Sequence, residues 1–254
     1  MRVSVIIPSI LRPSLEAAVQ SIRTQTTADR IDLQIIVGIA SDAQVTSDLA
    51  SKFGVLFRKS ASGRSAAANI NAAAQAIDGE YVALLEDDDR WTPQFLEIAL
   101  NALEGADFAS STTLQLTEQN EIVCIGDFPV PSGWIMKRSA WETIGGFNEA
   151  YRLHGDNEWL GRLAEKRIPR IHLVEATAPI TRLAAQVHRP QLLKLLQCGG
   201  PALRLVRHAS PFPLILRTVH ASSIMARIAT NRASDAEHAR EYETLMRRFR
   251  RIPW

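Results

Sequence analysis

Cysteine is nearly absent: Cys124 and Cys198 stand 74 positions apart, with neither a CxxC pair nor a Cys/His spacing around them. That excludes a disulfide framework and a zinc ribbon or finger, and it is the usage of a reducing compartment. Long hydrophobic runs are missing too. The apolar stretch Val3 to Ile7 is broken by Ser4, it is too short for a signal-peptide core, and no window reaches the roughly 18 apolar residues of a membrane span. A cytoplasmic protein is the expectation. Glycine is lacking where a phosphate loop needs it. Pro8-Ser9-Ile10-Leu11-Arg12, which follows the first β-rich run, contains none, and GxGxxG does not occur, which argues against nucleotidyl transfer and dinucleotide binding. A large excess of either charge is also absent, with 29 Lys+Arg against 27 Asp+Glu. What is present is 46% hydrophobic and 22% charged residues over 254 positions, which excludes a disordered chain or a coiled coil and predicts one large globular domain or one domain with an appendage.

The balanced total hides an asymmetry. Residues 189–254 hold twelve Lys/Arg and four Asp/Glu, a net of +8, so residues 1–188 carry 17 against 23, a net of −6. A basic segment suits anionic lipid, a phosphate-bearing substrate, nucleic acid or a plain solvated face.

Along the chain, β-rich runs alternate with helical periodicity. Val3 to Ile7 is followed by a helix from Pro13-Ser14 with Leu15, Val19 and Ile22 on one face. Leu33 to Val37, a helix near 45–52, Val55 to Arg58, the Ala-rich helix Ser65 to Ile77 and Tyr81 to Leu85 continue the pattern. Thr92-Pro93 reads as N-cap and first helical residue of the next helix. The near-continuous apolar strands predict an α/β fold, a mostly parallel sheet with helices on both faces. Residues 106–175 are less regular. After His188 the chain reads as almost wholly helical, interrupted by Gly199-Gly200-Pro201 and Pro211-Phe212-Pro213. The division read here is 1–188, with halves 1–105 and 106–188, and a basic helical extension 189–254.

In such a sheet ligands bind at the carboxyl ends of the strands. There, Glu86-Asp87-Asp88-Asp89 follows Tyr81 to Leu85. Four adjacent carboxylates repel one another, so the run is either a solvated turn or the place where a hard divalent ion is shared with substrate phosphates. Asp156 is likewise open to two readings, a cap for the helix carrying Glu158 to Ala164 or a general base.

These residues also carry a resemblance. Val3-Ser4-Val5-Ile6-Ile7-Pro8-Ser9, Gly63-Arg64-Ser65-Ala66-Ala67-Ala68-Asn69, Gly79-Glu80-Tyr81 leading into Leu85-Glu86-Asp87-Asp88-Asp89-Arg90-Trp91, Gly145-Gly146-Phe147-Asn148-Glu149, and Gly155-Asp156-Asn157-Glu158-Trp159 occur in that order. Over roughly residues 3–175 the chain resembles family-2 glycosyltransferases of the GT-A fold, a Rossmann-like architecture. The resemblance implies an inverting transferase that uses Mn²⁺ or Mg²⁺ to move a sugar from a nucleotide diphosphate donor, a UDP-sugar foremost, to a hydroxyl of a glycan or lipid-linked acceptor in polysaccharide biosynthesis. It implies Asp88 as metal ligand, Asp87 near the metal's waters or the ribose, Pro8 and Ser9 by the nucleoside, Arg64 on the diphosphate and Asp156 as base.

The chain departs from the family pattern in several places. Glu86 opens the acidic motif, Ala68 stands where a basic residue is common, and Gly155 replaces a glutamate. Gly38-Ile39-Ala40-Ser41-Asp42 replaces an acidic segment that contacts the base, leaving Asp42 as substitute. On the acceptor side Trp134 and His154 are candidates, with Trp141 and Trp159 as further stacking residues and His188 as the late histidine near the diphosphate. The implied setting is the inner face of a membrane, with Arg204, Arg207, Arg217, Arg247, Arg248, Arg250 and Arg251 on helices resting on anionic lipid. No nucleic-acid partner is implied, and homo-oligomers remain open. The opposed reading is a GT-A-like carbohydrate-binding or assembly module without turnover.

Overall fold

The computed structural model describes residues 1–45, 47–61, 65–176, 202–220 and 232–250. Strands β1 (Arg2–Ser9), β2 (Asp32–Ile39), β3 (Leu56–Lys59) and β4 (Tyr81–Leu84) are linked through helices α1 (Leu15–Arg23), α2 (Ser47–Phe53) and α3 (Ala66–Ala74). β5 (Arg90–Trp91) and α4 (Phe95–Ala102) precede β6 (Phe108–Ser111), β7 (Thr113–Thr117), β8 (Ile122–Gly126) and β9 (Ile135–Lys137). Then come α5 (Arg138–Ile144), α6 (Gly155–Glu165), β10 (Arg170–Val174), β11 (Leu203–Arg207), β12 (Ile215–Val219) and a last helix, here α7 (Arg232–Phe249).

The main sheet has eight strands in the order β11-β10-β6-β9-β4-β1-β2-β3, parallel except for β9, which runs antiparallel to both neighbours. Both faces are covered, as the apolar runs require. Along β1, Val3, Val5 and Ile7 join the core cluster that includes α1 and α4, while Ile6 joins the one built with α3, α5 and α6. A second sheet, β5-β12-β7-β8, stands beside it.

Close approach of α3 to β2 depends on Gly38, where a Cβ would overlap the backbone carbonyl of Asn69. Asn69 in turn donates Nδ2 to the Ser9 carbonyl at 3.2 Å, tying the helix to the end of β1. Gly38→Ala should therefore cost about 1–3 kcal/mol, the range for overpacking a tight interface. Thermal melting checks this, and an unchanged midpoint would mean that the helix has room to retreat.

Two sequence expectations change. Thr92 is not the cap of α4. The helix starts at Phe95 after Gln94, and the Gln25 side chain serves its start from outside: Oε1 accepts the Leu96 N–H at 2.8 Å while Nε2 donates to the Thr92 carbonyl at 2.9 Å. The second change is larger. Residues 202–220, read as helical, form β11 beside β10 and β12 between β5 and β7. Short Leu/Arg alternations fit a period of 2 as well as 3.6, and the flanking Gly-Gly-Pro and Pro-Phe-Pro breakers bound segments of strand length. Both strands pair into the body formed by residues 1–188. The final helix is present as read, and the helical reading of 177–201 and 221–231 lies outside the described residues.

Candidate active site at the carboxyl edge of the sheet

β1 and β4 run parallel, with Ile6 opposite Leu84, so Ser9 and the run 86–89 emerge side by side. The Ser9 hydroxyl donates to Asp87 Oδ2 at 2.7 Å and the Ile10 N–H to the same oxygen at 3.1 Å. Ser9 Oγ also accepts the Leu11 N–H at 2.8 Å, and Leu11 is held at φ +62°, a conformation costly for a residue with a branched side chain. This turn aims Arg12 back at the acids. Its Nη1 donates to Asp87 Oδ1 at 2.9 Å and to Asp88 Oδ2 at 2.8 Å.

The four carboxylates therefore divide. Asp87, 2% exposed, has both oxygens engaged. Asp89 is turned inward, taking the Ser132 hydroxyl at 2.6 Å and the Thr218 N–H at 3.0 Å. Glu86 lies against Ser132, which accepts its backbone N–H at 3.1 Å. Asp88 faces outward, with His220 Nε2 2.8 Å from its Oδ2 and its Oδ1 without a hydrogen-bond partner among the described residues. Asp87 thus braces the loop, and Asp88 keeps one oxygen without such a partner.

Asp156 reaches the same place from α6. It stands inside the first turn and not at the cap, which is His154. Its Oδ1 accepts the Asn157 N–H at 2.8 Å, and Oδ2 has no partner among the described residues. Burial raises its carboxyl above the ordinary range, against the Asn157 hydrogen bonds and the charge of Arg217, which lower it. Burial also pushes Glu86 up to about 7, helped by the negative charges of Asp88, Asp156 and Asp87 and opposed by Arg217. Asp89 is raised well above its usual range by burial and by Glu86 and Asp88. Arg217 is the common counter-charge. Burial alone would lower it, and Glu86, Asp89, Asp156 and Asp88 together outweigh that and raise it.

The repulsion anticipated for the acidic run is thus met in part by two cations of the chain itself, Arg12 and Arg217. Neither was assigned there from the sequence. Arg217 had been placed on a membrane-facing helix, whereas it lies on β12 among acids. A histidine, His220, three residues beyond Arg217, stands against Asp88. His188, like Arg64, lies outside the described residues. Arg217 and His220 lie within Arg217-Thr218-Val219-His220, and the helical reading of that segment concealed their place beside the acidic run.

Other candidates fall elsewhere. Pro8 and Ser9 are at the edge as expected, although the Ser9 hydroxyl serves Asp87. Asp42 lies exposed in the turn after β2. Trp134 cannot stack on a sugar: it is 0% exposed, donates Nε1 to the Pro129 carbonyl at 2.7 Å and packs with Phe108, Phe147 and Trp159. Trp141 and Trp159 belong to the same aromatic core. His154 is buried with its ring 4.6 Å from His238 of α7, turned toward that helix; burial lowers its pKa, and the neighbouring His238 adds to the effect. Of the basic residues assigned to lipid, Arg248 pairs with Glu158 and Glu165, Arg204 donates to the Gly105 carbonyl and Arg247 meets Glu243. No described helix is long and apolar enough to cross a membrane.

Residues 4–122 match the profile of glycosyl transferase family 2. No curated protein matches the chain by sequence. Among solved structures, TarS of S. aureus superposes with a TM-score of 0.57 at 11% identity, over 98% of this chain and 44% of that one. TarS 1-349 in complex with UDP gives 0.56 at 10% identity, over 93% and 68%. TarS 1-349 alone gives 0.51 at 14% identity, over 64% and 55%. The chain thus spans about half the length of the first two TarS forms it resembles, 55% and 44%. The segment 4–122, which includes the acidic run, is thus similar to glycosyl transferase family 2, and the chain shares its fold with the TarS structures.

Proposed function

We propose that the protein is a metal-dependent, inverting glycosyltransferase that moves a sugar from a nucleotide diphosphate donor, a UDP-sugar foremost, to a hydroxyl of a glycan or lipid-linked acceptor. One observation carries this reading: two carboxylates, Asp88 and Asp156, each with one oxygen that has no partner among the described residues, converge on one site from elements 68 residues apart in sequence. The UDP complex of the TarS relative supports the choice of donor.

The donor set fits Mn²⁺ or Mg²⁺. Asp88 Oδ1 has no partner among the described residues, and the His220 imidazole lies against the same carboxylate. Among the described residues no group of three or more His, Cys, Asp and Glu is arranged to hold a metal; an ion here would be held by one or two side chains and completed by substrate phosphates. When bound, such an ion neutralises charge developing on the departing nucleoside diphosphate. The protein's own groups do the rest. Ser9, Ile10 and Arg12 fix Asp87 and hence the backbone that presents Asp88. Asp156 Oδ2 takes the acceptor hydroxyl proton as that oxygen attacks the anomeric carbon from the side opposite the leaving group. A raised carboxyl is the stronger base once ionised, so turnover should rise with pH through a limb above the ordinary carboxylate range.

A panel of UDP-, dTDP- and GDP-sugars in a thermal-shift assay with Mn²⁺ tests the donor, because a ligand that binds only the native state raises the melting point. Stabilisation by UDP-sugars that EDTA removes is expected. Asp88→Ala should abolish the Mn²⁺-dependent part of UDP affinity in titration calorimetry, and equal UDP affinity with and without metal in the wild type would remove Asp88 from this role.

A further inference from the structure

Helix α6, which carries Asp156 in its first turn, has no side-chain cap of its own: His154 at the cap position makes no capping hydrogen bond. The last helix instead holds the segment that leads into α6. The Glu241 carboxylate accepts three consecutive backbone N–H groups, from Arg152 at 2.8 Å, Leu153 at 3.0 Å and His154 at 2.9 Å. Hydrogen bonds to an ionised acceptor are stronger than neutral ones, and a negative charge here also favours the start of a helix.

The contact is part of a docked face. His238 meets His154, Leu245 is fully buried, Arg248 pairs at 2.9 Å with Glu158, which is 1% exposed, and a Cβ at Gly161 would overlap the Phe249 ring. These positions follow the i, i+3, i+4, i+7 rhythm of one helix stripe. The α7 stripe thus rests along α6 from end to end, and its most directed contact falls two residues before Asp156.

On the reading of Asp156 as base, we infer that Glu241 is a positioning residue for catalysis, holding the backbone of 152–154 so that the Asp156 carboxylate is aimed at the acceptor hydroxyl. It touches neither donor nor acceptor. Its effect should therefore appear in turnover and not in donor affinity. A displacement of about 1 Å at a reacting group can cost on the order of 100-fold in rate, so even a small slackening of this segment is measurable.

The test uses the full chain with Glu241→Gln, Glu241→Asp and, as a control on the same helix, Glu243→Gln, whose carboxylate is exposed and pairs with Arg247. Glutamine keeps one acceptor oxygen and turns a donor group toward N–H donors, whereas aspartate keeps both oxygens on a shorter stem. Three quantities are read: UDP affinity by calorimetry with Mn²⁺, UDP release from UDP-glucose and UDP-N-acetylglucosamine, and the carboxyl ¹³C resonances of labelled aspartates. In Glu241→Gln, kcat should fall by about 10- to 100-fold with UDP affinity unchanged, and the Asp156 resonance should move while that of Asp88 stays. Glu241→Asp should recover part of the loss, and Glu243→Gln should match the wild type. An unmoved Asp156 resonance, unchanged turnover, or loss of UDP binding together with turnover would each overturn the inference. If the wild type releases no UDP from any nucleotide sugar, the transferase reading fails on its own, and the resonance of Asp156 still decides whether Glu241 positions it.

Discussion

Asp156→Asn is expected to lower glycosyl transfer by about 10²- to 10⁴-fold, the usual cost of losing a general base, while UDP binding stays near the wild-type value. Asparagine preserves the shape and can still accept the Asn157 N–H through its carbonyl oxygen, so α6 should start as before. It cannot take the proton of the acceptor hydroxyl. The alternative role at the helix start predicts a different magnitude, since removing such a hydrogen bond costs about 1 kcal/mol of stability and little rate. Transfer rate and melting point measured on the same two samples separate the readings. A variant that melts lower and turns over normally would make Asp156 structural.

Arg217→Met should have the second large effect, first on stability. The methionine keeps much of the aliphatic stem and removes the charge shared by Glu86, Asp89, Asp156 and Asp88. The charge reaches these acids at longer range than a direct ion pair, so the deficit expected is below the cost of breaking a buried pair, about 1–2 kcal/mol. The pH dependence has a definite sign. Glu86, Asp89 and Asp156 already have raised pKa values in the fold, so each disfavours folding as pH rises and it ionises. Without Arg217 that penalty grows, and the melting deficit should be larger at pH 8 than at pH 5. Mn²⁺ should restore part of it by returning a cation to the site. The acid limb of turnover should also move upward, because Arg217 lowers the Asp156 carboxyl in the wild type. Equal deficits at the two pH values would show that Arg217 acts by packing alone.

The sequence made the frame of this molecule legible where local and global signals agree. β1, broken only by Ser4 between Val3 and Ile7, and β4 are near-continuous apolar runs because they are buried on both faces, and Ser65 caps α3 through its own side chain, accepting the Ala68 N–H at 3.0 Å. The shared location of Asp88 and Asp156 was suggested in the same way, since each sits in a local motif at a strand end or helix start. What stayed hidden depends on partners distant in sequence. Gln25 serves the start of α4 from 71 positions away, so no local pattern could displace Thr92 as the cap. Trp134 looked available for a sugar because sequence does not show that Phe108, Phe147 and Trp159 enclose it. β12 was the costliest misreading. Its strand identity depends on pairing with β7 and β5, and with it went Arg217, the Thr218 N–H on Asp89 and His220 on Asp88. The basic character of the last 66 residues was likewise read as a surface property, when Arg217 and Arg248 are tied to acids of the body.

UDP release from a panel of UDP-sugars, measured with Mn²⁺, with EDTA and in Asp156→Asn, tests the central claim most directly. The proposed function predicts release by the wild type that requires the metal and falls with the variant, faster when an acceptor hydroxyl is supplied. Mn²⁺-dependent binding of the nucleotide with no release from any donor, with or without acceptor, would contradict it and leave a carbohydrate-binding module on a transferase fold.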